Sequence, residues 1–597
     1  LPMDTQDLTS RGWDSVDVVF VSGDAYVDHP SFAAALLGRL IESNGWKVGI
    51  VAQPRWDCPD DFLALGVPRL CCMISSGAID SMVAHYTANN KVRNDDPYSP
   101  GGKAGTRPDR AVLSYCSRAR QAFGPNVPII IGGLEASLRK FAHYDYWSDT
   151  VRRSILIDSK ADLLVYGMGE YQSIEILKRL QAGHPISSIT DIPGTMANLN
   201  TSAYLEKVST YPDKIVELPS YEAVSLRDAA SNQPLPEGKR AYAEAFATQL
   251  LYENPLEGTV LVQRCAQRVL WRNPPAAPID QSLFDSIHEL PYTRRWHPDY
   301  DRAGGIPALS EVQFSLASNR GCFGSCSFCA IGSHQGRMIS TRSTESLVRE
   351  TKVLARHADF KGYIHDIGGP TANFREPACG KQLTKGCCKD KQCLTPKPCK
   401  NLRVSHEALV RILRRVRALP KVKKVFIRSG VRFDYVMADP DPTFLRELVE
   451  HHVSGQLKVA PEHISPAVLD RMGKPRREVY DAFVKRYEEL NERLGLKQYL
   501  VPYLMSSHPG CTLADAVALA EYLRDTGHQP EQVQDFYPTP GTLSTTMYYT
   551  GLDPRTLTPV YVPTTAHEKA MQRALMQWRA PQNHALVREA LRLAGRE

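Results

Sequence analysis

The 597-residue chain has no apolar run near the roughly 18 residues a membrane-spanning helix needs, so no membrane span is expected. Its opening, LPMDTQDLTSRGWD, lacks the basic-then-apolar order of a secretory signal, and the cytoplasm is the expected location. The first residue is Leu1 rather than Met, which reads as a trimmed or processed start. Strong charge of one sign is missing too: 72 basic against 65 acidic residues leave +7, too mild a bias to single out an anionic partner. Successive C-x2-C pairs of the kind that build structural zinc modules are absent. At roughly 100–200 residues per domain the length predicts about three to four structural units. A chain this long buries an ample core without covalent staples. Its fourteen cysteines therefore read as metal ligands and thiols rather than as disulfides.

What is present is a strand–helix alternation in two series. Short apolar runs at 16–26, 46–54, 71–81, 127–137 and 161–170 alternate with helical patterns such as SFAAALLGRLIESNG at 31–45. Glycine turns at the strand ends predict a doubly wound parallel sheet over residues 1–183. Ligands of such sheets bind beyond the carboxyl ends of the strands, which places Gly23, Asp24, Gly132, Gly133, Glu135, Gly167, Gly169 and Glu170 on one edge. Residues 184–308 are rich in Pro, Ser and Asn and read as a connecting segment with a small helical or strand element such as GTVLVQRCAQ at 258–267. From 309 to 540 six strand patterns (311–319, 362–369, 424–430, 456–463, 497–507 and 532–537) alternate with helical ones. They predict a (β/α)6 partial barrel, with chemistry at the carboxyl ends of its strands. Residues 541–597 read as a helical extension.

Eight of the fourteen cysteines lie between Cys322 and Cys399. Three of them form GCFGSCSFC at 321–329, a C-x3-C-x2-C triplet directly after the first strand of the second series. Three thiolates on one tight loop suit a single iron–sulfur cubane and leave one of its four irons open. Gly321 and Gly324 let the backbone wrap closely around it. The bland alternatives, a zinc site or ordinary thiols, do not account for the 3-then-2 spacing together with Phe328 before the last cysteine and the place after strand one.

These features resemble the radical S-adenosylmethionine (SAM) superfamily, and more closely its YgiQ-type proteins, a family with no settled substrate. The resemblance rests on GDAYVDHPSF (23–32), GGLEASLRKFAHYDYWSD (132–149), GCFGSCSFCAI (321–331), DIGGPTAN (366–373), SGVRFDY (429–435), KVAPEHISP (458–466) and FYPTPGTLSTTMYYTG (536–551). It implies a [4Fe–4S] cluster on Cys322, Cys326 and Cys329, with SAM on the open iron. It also implies reductive cleavage of SAM to a 5′-deoxyadenosyl radical that attacks an unidentified substrate, RNA or protein by superfamily analogy. A one-electron donor such as flavodoxin or ferredoxin would be the reductant. Carried over by position, Gly368 and Gly369 would meet the SAM amino group, although Pro370 stands where the superfamily motif ends in an acid. Arg428 and Ser429 would meet the SAM carboxylate or ribose, because an arginine fork is bidentate. Glu462 and Phe328 complete the expected cofactor pocket. The rival reading is a non-catalytic iron–sulfur or zinc protein that interacts with RNA or ribosomes.

A second set of cysteines lies in PACGKQLTKGCCKDKQCLTPKPCK, residues 377–400. Cys379, Cys388, Cys393 and Cys399, with Cys387 as a rival for the second place, could hold a second iron–sulfur cluster or a structural zinc. Neighbouring lysines would favour the thiolates. The plain alternative is a flexible loop of free thiols. The N-terminal sheet resembles the cobalamin-binding domain found in front of many radical SAM enzymes. The Asp-x-His-x-x-Gly ligand motif is missing, with Asp28-His29-Pro30 only a superficial match. The domain either has lost cobalamin, which is what we expect, or would bind it without a protein ligand. HYDYWSD (143–149) would form either a substrate platform or buried packing.

Overall fold

The computed structural model describes residues 1–210 and 214–596; residues 211–213 of the 184–308 stretch and residue 597 lie outside that description. The chain forms two units: Leu1–Gln313 with Ser333–Gly336, and Phe314–Gly332 with Arg337–Glu597. No helix among the described residues is long and apolar enough to cross a membrane.

The first unit is built on a nine-stranded sheet. Its strands are β1 (Val18–Ser22), β2 (Val48–Ala52), β3 (Cys71–Ser75), β4 (Ile129–Gly132), β5 (Leu163–Val165), β6 (Thr195–Asn200), β7 (Ile215–Leu218), β8 (Val260–Cys265) and β9 (Arg268–Arg272). Their order is β2-β1-β3-β4-β5-β6-β9-β8-β7. The first five run parallel, as predicted. Each is a near-continuous apolar run because both faces are covered. Along β1, Val18 and Phe20 enter one core while Val19 and Val21 enter the other. Full burial of one such side chain contributes roughly 1.5–3 kcal/mol. Helices Ala33–Ser43, Ala111–Phe123 and Glu170–Gln181 supply the cover. Cys71, Cys72 and Cys116 are buried among these apolar side chains and act as small hydrophobes.

The stretch read as a connecting segment departs from that reading. It supplies β6 to β9, and the sheet is mixed: β6 runs antiparallel to β5 and β9, and β8 to β9. β8 and β9 form a hairpin across Ala266, whose φ of 50° belongs to the turn. One of the four, β8, falls on the 258–267 run; the other three went unread, and polar residues such as the buried Arg272, beside Glu253 at 3.5 Å, masked β9.

In the second unit the strand segments fall where the six patterns predicted. They are β10 (Ser315–Ala317), β11 (Tyr363–Ile364), β12 (Asp366–Gly368), β13 (Lys424–Val425), β14 (Gln456–Glu462), β15 (Tyr499–Ser506) and β16 (Gln534–Asp535). All their pairings are parallel: β10 with β12, β11 with β13, β14 with β15 and β15 with β16. The ladders are short, and no single one runs through all the strands described. Leu316, Ile364, Ile367, Val425, Ile427, Leu457 and Val459 nevertheless share one core with the helices Thr344–Leu354, Glu407–Arg417 and Arg477–Leu494. The C-terminal helices Leu543–Thr550, Ala566–Met576 and His584–Leu593 follow. The last two bury Met571, Leu575 and Ala590 against Val468, Met505 and Phe536.

Candidate metal centre

The cysteine triplet occupies a loop clamped at both ends. After β10, the Ser318 N–H donates to the Gly368 carbonyl (2.7 Å), and Asn319–Arg320 pairs antiparallel with Ser340–Thr341. Within the loop Gly321 and Ser325 take φ of 82° and 51°, and the Cys329 N–H donates to the Cys326 carbonyl at 3.1 Å. All three cysteines are half-buried and unpaired. Burial, and then the neighbouring Cys326, push the Cys322 thiol up. Burial and Cys326 push the Cys329 thiol up to about 12. Cys322 and Cys329 each feel Cys326, so the three sulfurs lie near one another, and bound metal is what would hold them as thiolates. Among the described residues no three His, Cys, Asp or Glu side chains are gathered to hold a single metal ion. A cubane spreads its thiolates over different irons, so this donor set fits a cluster better than one ion.

Two buried ion pairs flank the loop. The Arg432 side chain donates through Nε and Nη2 to the Asp434 carboxylate (2.8 and 2.6 Å) and through Nη1 to Cys326 Sγ (3.3 Å). Burial would raise the Asp434 carboxyl, but the guanidinium holds it below its ordinary value. Lys474 Nζ lies 3.6 Å from Glu462 Oε1 and 5.9 Å from the centre of the Phe328 ring, and its charge is felt at Cys329. Burial pushes the Glu462 carboxyl up, and Lys474 and Arg432 only partly offset it. Glu462 also sits at φ 67°, a left-handed conformation held at the end of β14.

The glycine motif is placed by close approach. A Cβ on Gly369 would lie 2.5 Å from the Asn319 carbonyl oxygen, and one on Gly368 2.1 Å from Ser429 Oγ. The Ser429 hydroxyl donates to Asp366, whose carboxylate also accepts the backbone N–H groups of Arg428 (2.8 Å) and Ser429 (3.2 Å). The Arg428 side chain is exposed, and its charge also acts on Asp366. Thr371 Oγ1 lies 3.4 Å from Cys322 Sγ. Asn373 accepts the Arg432 N–H (2.9 Å) and donates to its carbonyl (3.2 Å). The motif after strand two therefore reaches one cysteine directly and, through Arg432, a second. Phe328 packs its ring edge to face on His508, with 6.1 Å between ring centres.

In the second cysteine set the structure brings Cys387 beside its neighbours. Its thiol, buried, accepts from Gln382 Nε2 at 3.7 Å, and Lys381 Nζ approaches Cys388 Sγ at 3.9 Å. Cys387 feels Cys388 and Cys379; burial pushes the Cys393 thiol up to about 11, with Cys387, Cys379 and Cys388 adding to the rise. The Cys399 N–H donates to the Cys393 carbonyl at 2.9 Å. Arg337 fastens the loop through the Cys388 and Lys391 carbonyls (3.0 and 3.2 Å). The Gln392 amide donates to the Ser325 carbonyl inside the triplet (3.3 Å). Cys322 and Cys393 abut the same small apolar cluster, whose centre is the stacked pair Phe323 and Phe374, 3.8 Å between rings.

A sequence model described as Radical SAM N-terminal matches residues 1–315, more than half of the chain. The UPF0313 protein of Clostridium perfringens (strain 13 / Type A) is 54% identical over 597 residues, spanning 100% of this chain and 88% of that one. The chain belongs to the UPF0313 family of radical SAM proteins. The UPF0313 protein of Clostridium botulinum (strain ATCC 19397 / Type A) is 53% identical over the same 597 residues, 90% of its own length. Residues 531–597 match a domain of unknown function, DUF3362. Two solved structures are similar more distantly. The radical SAM methyltransferase TsrM from Kitasatospora setae is 14% identical, with a TM-score of 0.45 over 88% of this chain and 74% of that one. The cobalamin-dependent SAM radical enzyme OxsB is 12% identical, with a TM-score of 0.47 over 89% and 55%.

In this UPF0313 chain the carboxyl edge of the N-terminal sheet is filled by its own residues. A Cβ on Gly23 would lie 2.0 Å from the Ser76 carbonyl, so the chain segments after β1 and β3 touch at the point where the strand order reverses. Buried Arg107 bridges Asp24 (2.8 Å) and Asp96 (3.2 Å); burial raises the Asp24 carboxyl to about 6 despite that cation. Glu135 is buried too and accepts from the Ser81 N–H and hydroxyl and the Val112 N–H. HYDYWSD is mainly internal: His143 and Asp145 are buried, and Asp145 accepts from Arg110 at 2.6 Å. Arg432, Asp434 and Lys474 were not singled out in the sequence. The signal that could have found the first two is their place inside SGVRFDY.

Proposed function

We propose that this chain is a radical SAM enzyme that cleaves SAM reductively at a [4Fe–4S] cluster on Cys322, Cys326 and Cys329 and modifies an unidentified substrate. When bound, the cluster supplies the electron that cleaves SAM to methionine and a 5′-deoxyadenosyl radical, which abstracts hydrogen from the substrate. The chain's own residues hold and shield that centre. Thr371 and Arg432 contact two of the sulfurs, and the ion pairs Arg432–Asp434 and Lys474–Glu462 place charge beside it without open water. Gly368 and Gly369 let the chain pack tightly against Asn319 and Ser429 beside the triplet and would turn backbone groups toward SAM, with Ser429 and Glu462 as nearby polar groups. The second unit reads as a (β/α)6 partial barrel, with the glycine motif and Glu462 at its strand ends and Arg432, Asp434 and Lys474 on the segments that follow. A small one-electron carrier such as flavodoxin or ferredoxin would be the donor. Cobalamin has no part in this reading, since the Asp-x-His-x-x-Gly motif is missing and Asp24, Arg107 and Asp96 occupy the sheet edge.

The observation that carries the proposal is the thiol triplet beside a buried guanidinium on a loop tied to the glycine motif. After anaerobic reconstitution, dithionite and SAM should yield 5′-deoxyadenosine, quantified by chromatography, and Cys326→Ala should abolish it. Absence of that product from the intact reconstituted chain would overturn the proposal.

A further inference from the structure

Arg432 is held as few surface-type side chains are. It stands just before the short helix Phe433–Ala438, and Asn373 grips its backbone from both sides, accepting its N–H and donating to its carbonyl. The guanidinium is fully committed: two nitrogens fork onto Asp434 and the third, Nη1, meets Cys326 Sγ at 3.3 Å. A lysine could not make this division, because it offers one nitrogen rather than a planar fork. Only 8% of Arg432 and 4% of Asp434 is exposed, so little water screens the charge. The cysteine loop leaves a slot for it. A Cβ on Gly324, between Cys322 and Cys326, would lie 2.5 Å from Arg432 Nη1 and 3.3 Å from Cys322 Sγ, so a side chain there would push the guanidinium out of its present place. A buried ion pair by itself is weak evidence of a stabilising role, since desolvation can outweigh attraction. What needs explaining is why this pair ends on a sulfur.

We propose that Arg432 is a positioning residue that sets the reduction potential of the triplet's cluster through its charged N–H contact to Cys326, with Asp434 fixing the direction of the guanidinium. Adding one electron makes the centre more negative. A nearby cation and a hydrogen bond to a ligating sulfur favour that reduced state and raise the potential. The inference rests on the reading that Cys322, Cys326 and Cys329 hold a [4Fe–4S] cluster.

The test is a redox titration of the reconstituted full chain, without SAM, followed by electron paramagnetic resonance, with iron and sulfide content measured alongside. Arg432→Gln should load iron and sulfide as the parent does. At a fixed ambient potential its reduced-to-oxidised ratio should fall about tenfold, which for a one-electron couple is a midpoint about 59 mV more negative. Arg432→Lys keeps the charge but cannot serve both partners, and its midpoint should lie between the two. An Arg432→Gln variant with a full cluster and the parent's midpoint overturns the inference. Should Arg432→Gln take up no cluster, Arg432→Lys decides: a more negative midpoint supports the inference, and the parent's midpoint overturns it. Failure of the underlying reading looks different, because the parent chain itself would then give no reduced [4Fe–4S] signal.

Discussion

At the scale of single residues, the two glycines of DIGGPTAN do different physical work from most glycines in the chain: the space beside them is taken. Gly369→Ala sets a methyl 2.5 Å from a backbone oxygen that cannot rotate away, and overpacking of this kind costs about 1–3 kcal/mol. We expect a loss of that size in urea unfolding, together with weaker SAM binding by equilibrium dialysis. His452 makes a pH prediction. It is buried, its Nδ1 lies 2.7 Å from the Val425 carbonyl, and burial pushes its pKa down to about 4. Unfolded, it titrates near ~6.5. Between these values the unfolded chain takes up a proton that the folded chain refuses, so His452 lends stability above ~6.5 that is lost as the pH falls toward 4. His452→Gln should flatten the dependence of the unfolding midpoint on pH within that window; an unchanged slope would count against it.

At the scale of elements, the segment 377–404 has one short helix, Gly380–Lys385, and is otherwise tied by Arg337, Gln382 and Gln392, by the backbone bonds of Cys399 to Cys393 and Arg403 to Ala378, and by Ala378 and Leu394 in the apolar cluster of Phe323. So little regular structure around five cysteines is what a metal-organised loop has, because the metal supplies ordering energy that the peptide lacks. A second centre on Cys379, Cys388, Cys393 and Cys399, with Cys387 close enough to replace one of them, is our proposal for this loop. Metal should remain in a Cys322/Cys326/Cys329→Ala triple variant. Chelation of that remainder should speed tryptic cleavage at Lys385 and Lys389; a metal-free triple variant would reduce the loop to free thiols. The elements of the first sheet show why some strands were legible and others were not. β1 to β5 are apolar on both faces and bounded by glycine, and β8 was visible as the run 258–267, whereas β6, β7 and β9 carry Asn, Glu and Arg whose partners are supplied from elsewhere in the chain.

At the scale of the molecule, each unit closes its own cores. The cores built on the nine-stranded sheet draw their side chains from residues 1–313, and the core around Leu316, Val425 and Val459 draws its side chains from the second unit. A fragment ending at Gln313 should therefore fold and unfold cooperatively by near-ultraviolet circular dichroism. The full chain should then give more than one thermal transition rather than a single two-state step. A fragment 1–313 without fixed tertiary signal would overturn this.

The sequence by itself determined the two α/β series, the positions of the second unit's strands and the cysteine triplet. Each of these is written in local spacing: apolar runs between turn residues, and three thiols within eight positions. Only the tertiary structure decided which charges face that triplet. Arg432 and Cys326 are 106 residues apart, and nothing in the spacing of either predicts a 3.3 Å contact. It also decided that four strands between Thr195 and Arg272 complete the first unit's sheet. In each case the partner that satisfies the buried polar group lies far along the chain, and folding alone brings the two together.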